Sequence, residues 1–329
     1  MKPFSVVIPT ANHPTFLRTA LESVSAQTGT DSIEEVIVSE NGGRRDSEKI
    51  CAEFGNLPIR YIFHERPQSI LVNFFSSFRA AQADLIAFLC DDDWWSPGHL
   101  QTALLSLREH DQAVASFSGC LHVESEQALH GQIASSAVLW LAAGKPAFTT
   151  RWVLKRKEIL AALSLQTPFH LSTMVFQRRA VLKSAGHLEF GHFYTLDRDL
   201  YLALAGQGHV LYHPLVDTYI RWYDGNHTHS LDLKERGQIF HDQTDRIWDQ
   251  AFKEGVDLIA IWSRHLARAP HEVREDIGRI ARLAMRAERL EERGFGEFKL
   301  PSLPVRLWRT GTRLSQRAAL SLKRRLRTH

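Results

Sequence analysis

The chain has 329 residues, 44% of them apolar and 23% charged, which is ordinary globular usage and excludes a collagen-like, wholly disordered or disulfide-built protein. The 40 basic and 37 acidic residues leave a formal charge of +3, a balance that argues against a nucleic-acid partner. Cys51, Cys90 and Cys120 form no CxxC pair, so no zinc site or disulfide framework is expected and a reducing cytoplasm fits best.

In chain order, Phe4 to Ile8 is a short apolar run closed by Pro9 and reads as a buried strand. It is too short for a signal peptide. Phe16 to Gln27 carries Leu17, Ala20, Leu21 and Val24 at helical spacing. Val36 to Val38 is a second strand, ended by the turn cluster Ser39 to Gly43; a helix over Ser47 to Phe54 and a strand over Ile59 to Phe63 follow. Asn73 to Ala83 reads as a helix, Leu85 to Leu89 as a fourth buried strand, and Pro97 opens a helix to about Glu109. Beyond this the pattern weakens. Ala113 to Phe117, Leu171 to Gln177, Val210 to Tyr212 and Thr218 to Ile220 read as strands; Arg179 to Ala185, ended by Gly186, and Asp197 to Ala205 read as helices; Gly237 to Arg293 is strongly helical. No uncharged apolar stretch reaches the length of about 18 residues that a membrane span requires.

Continuously apolar strands alternating with helices predict an α/β protein with a mostly parallel sheet covered on both faces. Ligands of such sheets bind at the carboxyl ends of the strands. Pro9-Thr10-Ala11-Asn12, Ser39-Glu40-Asn41 and Asp91-Asp92-Asp93 all fall at predicted strand ends, so they are expected to converge on one crevice. Three adjacent carboxylates repel one another and resist burial unless a cation compensates them, and carboxylate oxygens suit Mg²⁺ or Mn²⁺. The competing reading is a solvated acidic turn ahead of the Pro97 helix.

These blocks are similar to those of a known family. Val6-Val7-Ile8-Pro9-Thr10, Val36 to Gly42, Phe88-Leu89-Cys90-Asp91-Asp92-Asp93-Trp94-Trp95-Ser96-Pro97 and Leu196-Asp197-Arg198-Asp199-Leu200 resemble the successive motifs of family-2 inverting glycosyltransferases with the GT-A fold. The resemblance covers roughly residues 3 to 230. It implies a Rossmann-like GT-A domain, a nucleotide-sugar donor, a saccharide or lipid-linked hydroxyl acceptor, a divalent Mg²⁺ or Mn²⁺ ion and inversion at the anomeric carbon. Residue by residue it implies that Pro9, Thr10, Asn12, Glu40, Asn41, Asp91 and Asp92 bind the donor, that Asp93 holds the metal, and that Asp197 is the general base. Cys90 and Leu196 depart from the pattern, standing where many members carry Asp and Glu. In the later stretch Tyr223 takes a usual His place, leaving His227 and His229 as candidates for metal or phosphate contact; His229 is the one placed with Asp93. A nucleotidyltransferase is disfavoured because Pro9 to Pro14 contains no glycine for a phosphate loop. A non-catalytic nucleotide-sugar or glycan-binding relative is the other alternative.

Read for themselves, Asp197 and Asp199 lie about 200° apart around a helix axis, so only one faces the crevice and the other caps the helix or pairs with Arg198 or Arg179. Trp94, Trp95, Trp140, Trp152 and Trp222 suit either core packing or stacking on sugar rings. The histidines at 170, 187 and 192 receive no role. Lys155, Arg156 and Lys157 read as a solvated run or as a site for a phosphorylated acceptor. After Glu297 the chain has no acid; its basic residues and Leu307, Leu314, Leu322 and Leu326 describe an amphipathic helix over 305–327, able to lie on an anionic membrane surface or else an ordinary basic helix packed on the protein or frayed at the terminus. The expected organisation is a catalytic domain over 1–232 (nucleotide-sugar half 1–117, acceptor half 118–232) and a helical extension over 233–329. The expected setting is cytoplasmic, with peripheral membrane contact through the tail and a role in surface polysaccharide or glycolipid assembly.

Overall fold

The structure is a computed structural model that describes residues 3–125, 128–132, 151–165, 167–188, 192–223, 233–258 and 260–261. The N-terminal half alternates as the apolar pattern requires: β1 (Phe4–Thr10), α1 (Pro14–Ser25), β2 (Ile33–Asn41), α2 (Asp46–Glu53), β3 (Ile59–His64), α3 (Ile70–Ala80), β4 (Leu85–Phe88), β5 (Trp94–Trp95) and α4 (His99–Arg108). Then come β6 (Ala113–Ser125), β7 (Ala128–Gln132), β8 (Trp152–Leu154), α5 (Arg156–Leu165), β9 (Met174–Gln177), α6 (Arg178–Leu188), α7 (Leu196–Ala205), β10 (His209–Arg221) and α8 (Leu233–Lys253).

All ten strands join one sheet in the order β3-β2-β1-β4-β9-β6-β10-β5, with β7 beside β6 and β8 beside β10. β1, β2, β3 and β4 pair in parallel, as expected for buried strands linked by helices. β9 enters antiparallel to both β4 and β6, so the sheet is mixed. Because side chains alternate across a strand, Phe4, Val6 and Ile8 enter one core with Leu17, Leu21 and Val38, while Val7 enters the other with Ile37, Phe75 and Phe88. The sheet is thereby sealed on both faces.

Several elements differ from the sequence reading. α3 begins three residues before the predicted Asn73, because the Ser69 hydroxyl caps it by accepting the Val72 amide at 3.2 Å. The two predicted strands at 210 and 218 are one strand, β10, whose register breaks between His213 and Val216. Pro214 lies within that break and has no N–H to offer a ladder. Gly119 faces it across the pair, where a Cβ would lie 2.8 Å from the Pro214 carbonyl. The predicted strand over 171–177 divides: Leu171–Thr173 is a 3₁₀ turn and only Met174–Gln177 is strand. α6 continues past Gly186 to Leu188.

α8, the first helix of the expected extension, packs into the same core as the sheet helices. Trp248 is 0% exposed, and Ile247, Ala251 and Phe252 are buried with it; the Trp248 indole donates to the Ser164 carbonyl on α5 at 3.3 Å. Trp248→Ala is expected to cost about 3–5 kcal/mol of stability by urea unfolding, and a loss far below that range would mean that α8 is dispensable to the fold. Residues 305–327 of the predicted tail lie outside the described residues, as do Trp140, His227 and His229.

Candidate active site

The carboxyl ends of β1, β2 and β4 open onto a crevice of about 480 Å³ lined by Pro9, Thr10, His13, Asn41, Asn73, Asp91, Asp92, Asp93, His170, Phe193, Arg221 and Tyr223, among others. The three polar clusters singled out in the sequence therefore do converge. Asn41 fixes the rim: its amide donates to the Gln68 carbonyl at 2.9 Å and accepts the Gln68 N–H at 2.8 Å. Asn73 ties α3 to β2 through Ser39, whose hydroxyl donates to Asn73 Oδ1 at 2.7 Å.

Two of the expected donor contacts sit elsewhere. Glu40 is buried and accepts a hydrogen bond from the Tyr61 hydroxyl; it is not among the residues that line the crevice. Asn12 is exposed, with φ of 61°, a left-handed conformation that asparagine tolerates better than most residues. It too lies outside the lining.

The acidic triplet is held from several sides. Asp91 accepts the Thr10 hydroxyl at 2.5 Å and lies 3.4 Å from His13 Nδ1. The Asp91 carboxylate, hydrogen-bonding to the ring, raises the His13 pKa above its ordinary value against the opposing effect of burial. The Asp92 carbonyl accepts Arg221 Nε at 3.1 Å. Asp93 is 1% exposed; its Oδ1 accepts the Arg221 backbone N–H at 3.0 Å and its Oδ2 accepts the Ser172 hydroxyl at 2.5 Å. The Arg221 guanidinium lies 4.7 Å from the Phe16 ring and 4.9 Å from Trp94, a cation–π setting that holds it in place.

Burial, with repulsion from Asp93 and Asp91, pushes the Asp92 pKa well above the usual carboxylate range. Burial likewise pushes Asp93 up to about 7, although the bonds from Ser172 and Arg221 oppose the shift. His170 Nδ1 lies 3.6 Å from Asp93 Oδ2. Burial lowers that imidazole to about 4, so the ring is neutral. Its Nδ1 accepts the Ser172 N–H at 3.3 Å, so it has no proton to give Asp93. Among the described residues, Cys90, Asp92 and Asp93 place their sulfur and oxygen atoms within 4.8 Å of one another. Two hard oxygens beside uncompensated charge fit a divalent cation of the Mg²⁺ or Mn²⁺ type. The Cys90 thiol is softer, and burial raises its pKa.

Asp197 opens α7, four residues after Phe193 of the crevice wall, but is not itself among the lining residues. Burial raises its pKa to about 6, against the Arg198 N–H bond and the Arg198 charge. Asp199 turns to the cap, accepting the Thr195 hydroxyl at 3.2 Å. Arg198 runs inward to the Leu163 carbonyl at 2.5 Å and the Thr244 hydroxyl at 3.0 Å. Of the tryptophans, Trp95 and Trp152 are buried, Trp94 stacks on Tyr219 at 5.4 Å, and Trp222, 40% exposed, stacks on His122 at 5.5 Å. Arg156 is occupied by Glu254 at 2.8 Å, which leaves Lys155 and Lys157 as the exposed members of that run.

Sequence reasoning did not single out Ser172, Arg221 or His13. His13 had a local signal, since it precedes Pro14 at the first position of a helix. Ser172 and Arg221 reach the site through β9 and β10, whose pairing is long-range.

A strand-end crevice built around a carboxylate triplet on a mixed α/β sheet is the arrangement that the resemblance to GT-A glycosyltransferases implied. The profile described as glycosyl transferase family 2 matches residues 5–186, more than half of the chain, and the chain belongs to that family. A protein of Bacillus subtilis (strain 168) with a glycosyltransferase description, EpsH, is 32% identical over 101 residues, which is 30% of this chain and 29% of that relative's length. The fold is similar to residues 1–349 of S. aureus TarS, with a TM-score of 0.57 at 13% identity over 87% of this chain and 80% of that one. The mannosyltransferase PcManGT of Pyrobaculum calidifontis is also similar, with a TM-score of 0.54 at 14% identity over 99% of this chain and 82% of that one. TarS has been solved with UDP-GlcNAc, and PcManGT with GDP-Man and Mn²⁺. Among the described residues no helix is long and apolar enough to cross a membrane.

Proposed function

We propose that this chain is a metal-dependent, inverting glycosyltransferase, moving a sugar from a nucleotide-sugar donor to a hydroxyl acceptor. The observation that carries the reading is the acidic cluster at the crevice, where half-buried Asp92 and buried Asp93 place their carboxylate oxygens, with the Cys90 sulfur, within 4.8 Å of one another and so suit a divalent cation. Asp93, with Asp92 beside it, would hold Mg²⁺ or Mn²⁺, and His229 is the candidate ligand outside the described residues. When bound, such an ion supplies positive charge against the departing diphosphate.

The chain's own residues do the rest. Thr10 and His13 hold Asp91 in the crevice, so that Asp91 and Asp92 face the ribose and diphosphate. Pro9 and Asn41 form the wall against the nucleoside, and Glu40 braces that wall from behind through Tyr61. Asp197 takes the proton of the attacking hydroxyl late in the reaction, when the oxygen has become acidic. Its raised pKa, about 6, suits a base better than an exposed aspartate does. The other bound ligands of TarS and PcManGT, UDP-GlcNAc and GDP-Man, support a nucleotide-sugar donor of this general type.

The acceptor is read as a saccharide or lipid-linked carrier, with residues 305–327 touching an anionic membrane from the cytoplasmic side during surface polysaccharide or glycolipid assembly. A thermal-shift and turnover screen of nucleotide sugars with and without Mn²⁺ tests the reading. Stabilisation by one donor only with Mn²⁺, followed by its hydrolysis or transfer, is the expected result. Donor binding indifferent to metal, with no turnover on any acceptor, points instead to a binding relative.

A further inference from the structure

We propose that Ser172 is a positioning residue that fixes which lone pairs of Asp93 remain free for a divalent cation. The inference rests on the reading that Asp93 holds such an ion. Ser172 is 0% exposed, and each of its polar groups has one assigned task. Its hydroxyl oxygen accepts the Cys90 N–H at 3.0 Å. The single hydroxyl proton is therefore committed in one direction, to Asp93 Oδ2 at 2.5 Å. The Ser172 carbonyl accepts the Trp95 indole N–H at 2.6 Å, and the Ser172 N–H is received by His170. One residue thus grips the acidic loop at its start, at its metal carboxylate and just beyond it.

The consequence is geometric. A carboxylate offers about four lone-pair sites. The Arg221 N–H takes one on Oδ1 and Ser172 takes one on Oδ2, so the carboxyl plane is locked and the two remaining sites face a fixed direction. Partners that orient a metal ligand in this way typically contribute about 10–100-fold to metal affinity. Thr173 provides a control in the same 3₁₀ turn. It is also buried, but its hydroxyl donates to the His170 carbonyl at 2.7 Å, so it supports the turn without touching Asp93.

The test titrates the full chain with Mn²⁺ alone, reading free ion by electron paramagnetic resonance, and records a thermal melt for each variant. Ser172→Ala is expected to weaken Mn²⁺ by about tenfold or more, whereas Thr173→Ala lowers the melting temperature and leaves the Mn²⁺ affinity within about twofold. Equal shifts in both variants, or an unchanged affinity in Ser172→Ala, overturn the inference. If Ser172→Ala shows no cooperative melt, Ser172→Cys, whose thiol is a much poorer donor than the hydroxyl, is read instead; it too is expected to weaken Mn²⁺, and intact folding with unchanged affinity is the overturning result there. Asp93→Asn separates the two levels of the argument. If wild type takes up no Mn²⁺, or Asp93→Asn binds it equally well, the metal reading fails and Ser172 loses its role. If only the Ser172 variants bind normally, the metal reading stands and the positioning role does not.

Discussion

Asp93→Asn is expected to fold, to lose Mn²⁺ uptake and to slow sugar transfer by at least about 10²–10³-fold, the usual consequence of removing one preorganised source of charge stabilisation. The amide keeps the shape of the carboxyl group, and its one oxygen can still accept the Arg221 N–H that meets Asp93 Oδ1 at 3.0 Å. Its NH2 then faces the Ser172 hydroxyl, which must accept where it donated at 2.5 Å, so the charge is removed and one hydrogen bond is reversed. A second signature lies in the pH dependence. Asp93 ordinarily titrates near 3.8 and is pushed up to about 7 by burial. A group whose pKa rises on folding contributes stability that is fully present below its unfolded value and is lost as pH rises through its folded value. The metal-free wild type should therefore become less stable as pH rises from about 4 to about 7, and the asparagine variant should show a shallower slope, the part left belonging to Asp92. Because a cation takes the ionised carboxylate, Mn²⁺ uptake by wild type should strengthen over the same interval. Melting curves across this range, with chelator and with Mn²⁺, check both signs. Parallel slopes for wild type and variant would remove Asp93 from the role.

Asp197→Asn is expected to lower kcat by about 10²–10⁴-fold, the range for a lost general base, while donor affinity stays unchanged. The proton acceptor must be ionised, and burial raises this carboxyl to about 6. The wild-type rate should therefore climb as pH approaches 6 and level off above it. Asp199 is the internal comparison. Its carboxylate already serves the Thr195 hydroxyl at 3.2 Å, so Asp199→Asn should change kcat by no more than about threefold and act mainly on stability through the helix cap. Single-turnover rates paired with donor titration calorimetry distinguish the two acids, and a collapse of kcat in the Asp199 variant alone would exchange their roles.

What could be read in advance follows from how local each signal is. Phe4–Thr10, Val36–Val38 and Leu85–Phe88 are buried on both faces, so every residue there is apolar or small and the strands stand out without knowledge of their partners. Their polar ends could be placed together for the same reason, since parallel strands deliver them to one edge. Ser172 was hidden inside an apolar run because nothing nearby in sequence marks its hydroxyl; its partners, Cys90 and Asp93, are 82 and 79 residues away. Arg221 stands two residues before Tyr223 in the later family-like stretch, but its contacts were not legible, since they depend on the register that sets Thr218 and Tyr219 against Trp95 and Trp94. Glu40 illustrates the reverse. Its place at a strand end was legible, but strand alternation turns its side chain to Tyr61 on the neighbouring strand rather than into the crevice. The ends of α3 and α6 moved for local reasons, a serine cap in one and a tolerated glycine in the other.

The burial of Trp248 against α5 bears on how the basic tail is to be studied. Trimming the chain back to residue 232 would strip Ile247, Trp248, Ala251 and Phe252 from the interior, and any loss of vesicle binding would then report a damaged enzyme. A deletion that begins near Phe298 keeps every described residue. Lipid attraction can thus be measured on a catalytic body whose interior is left whole.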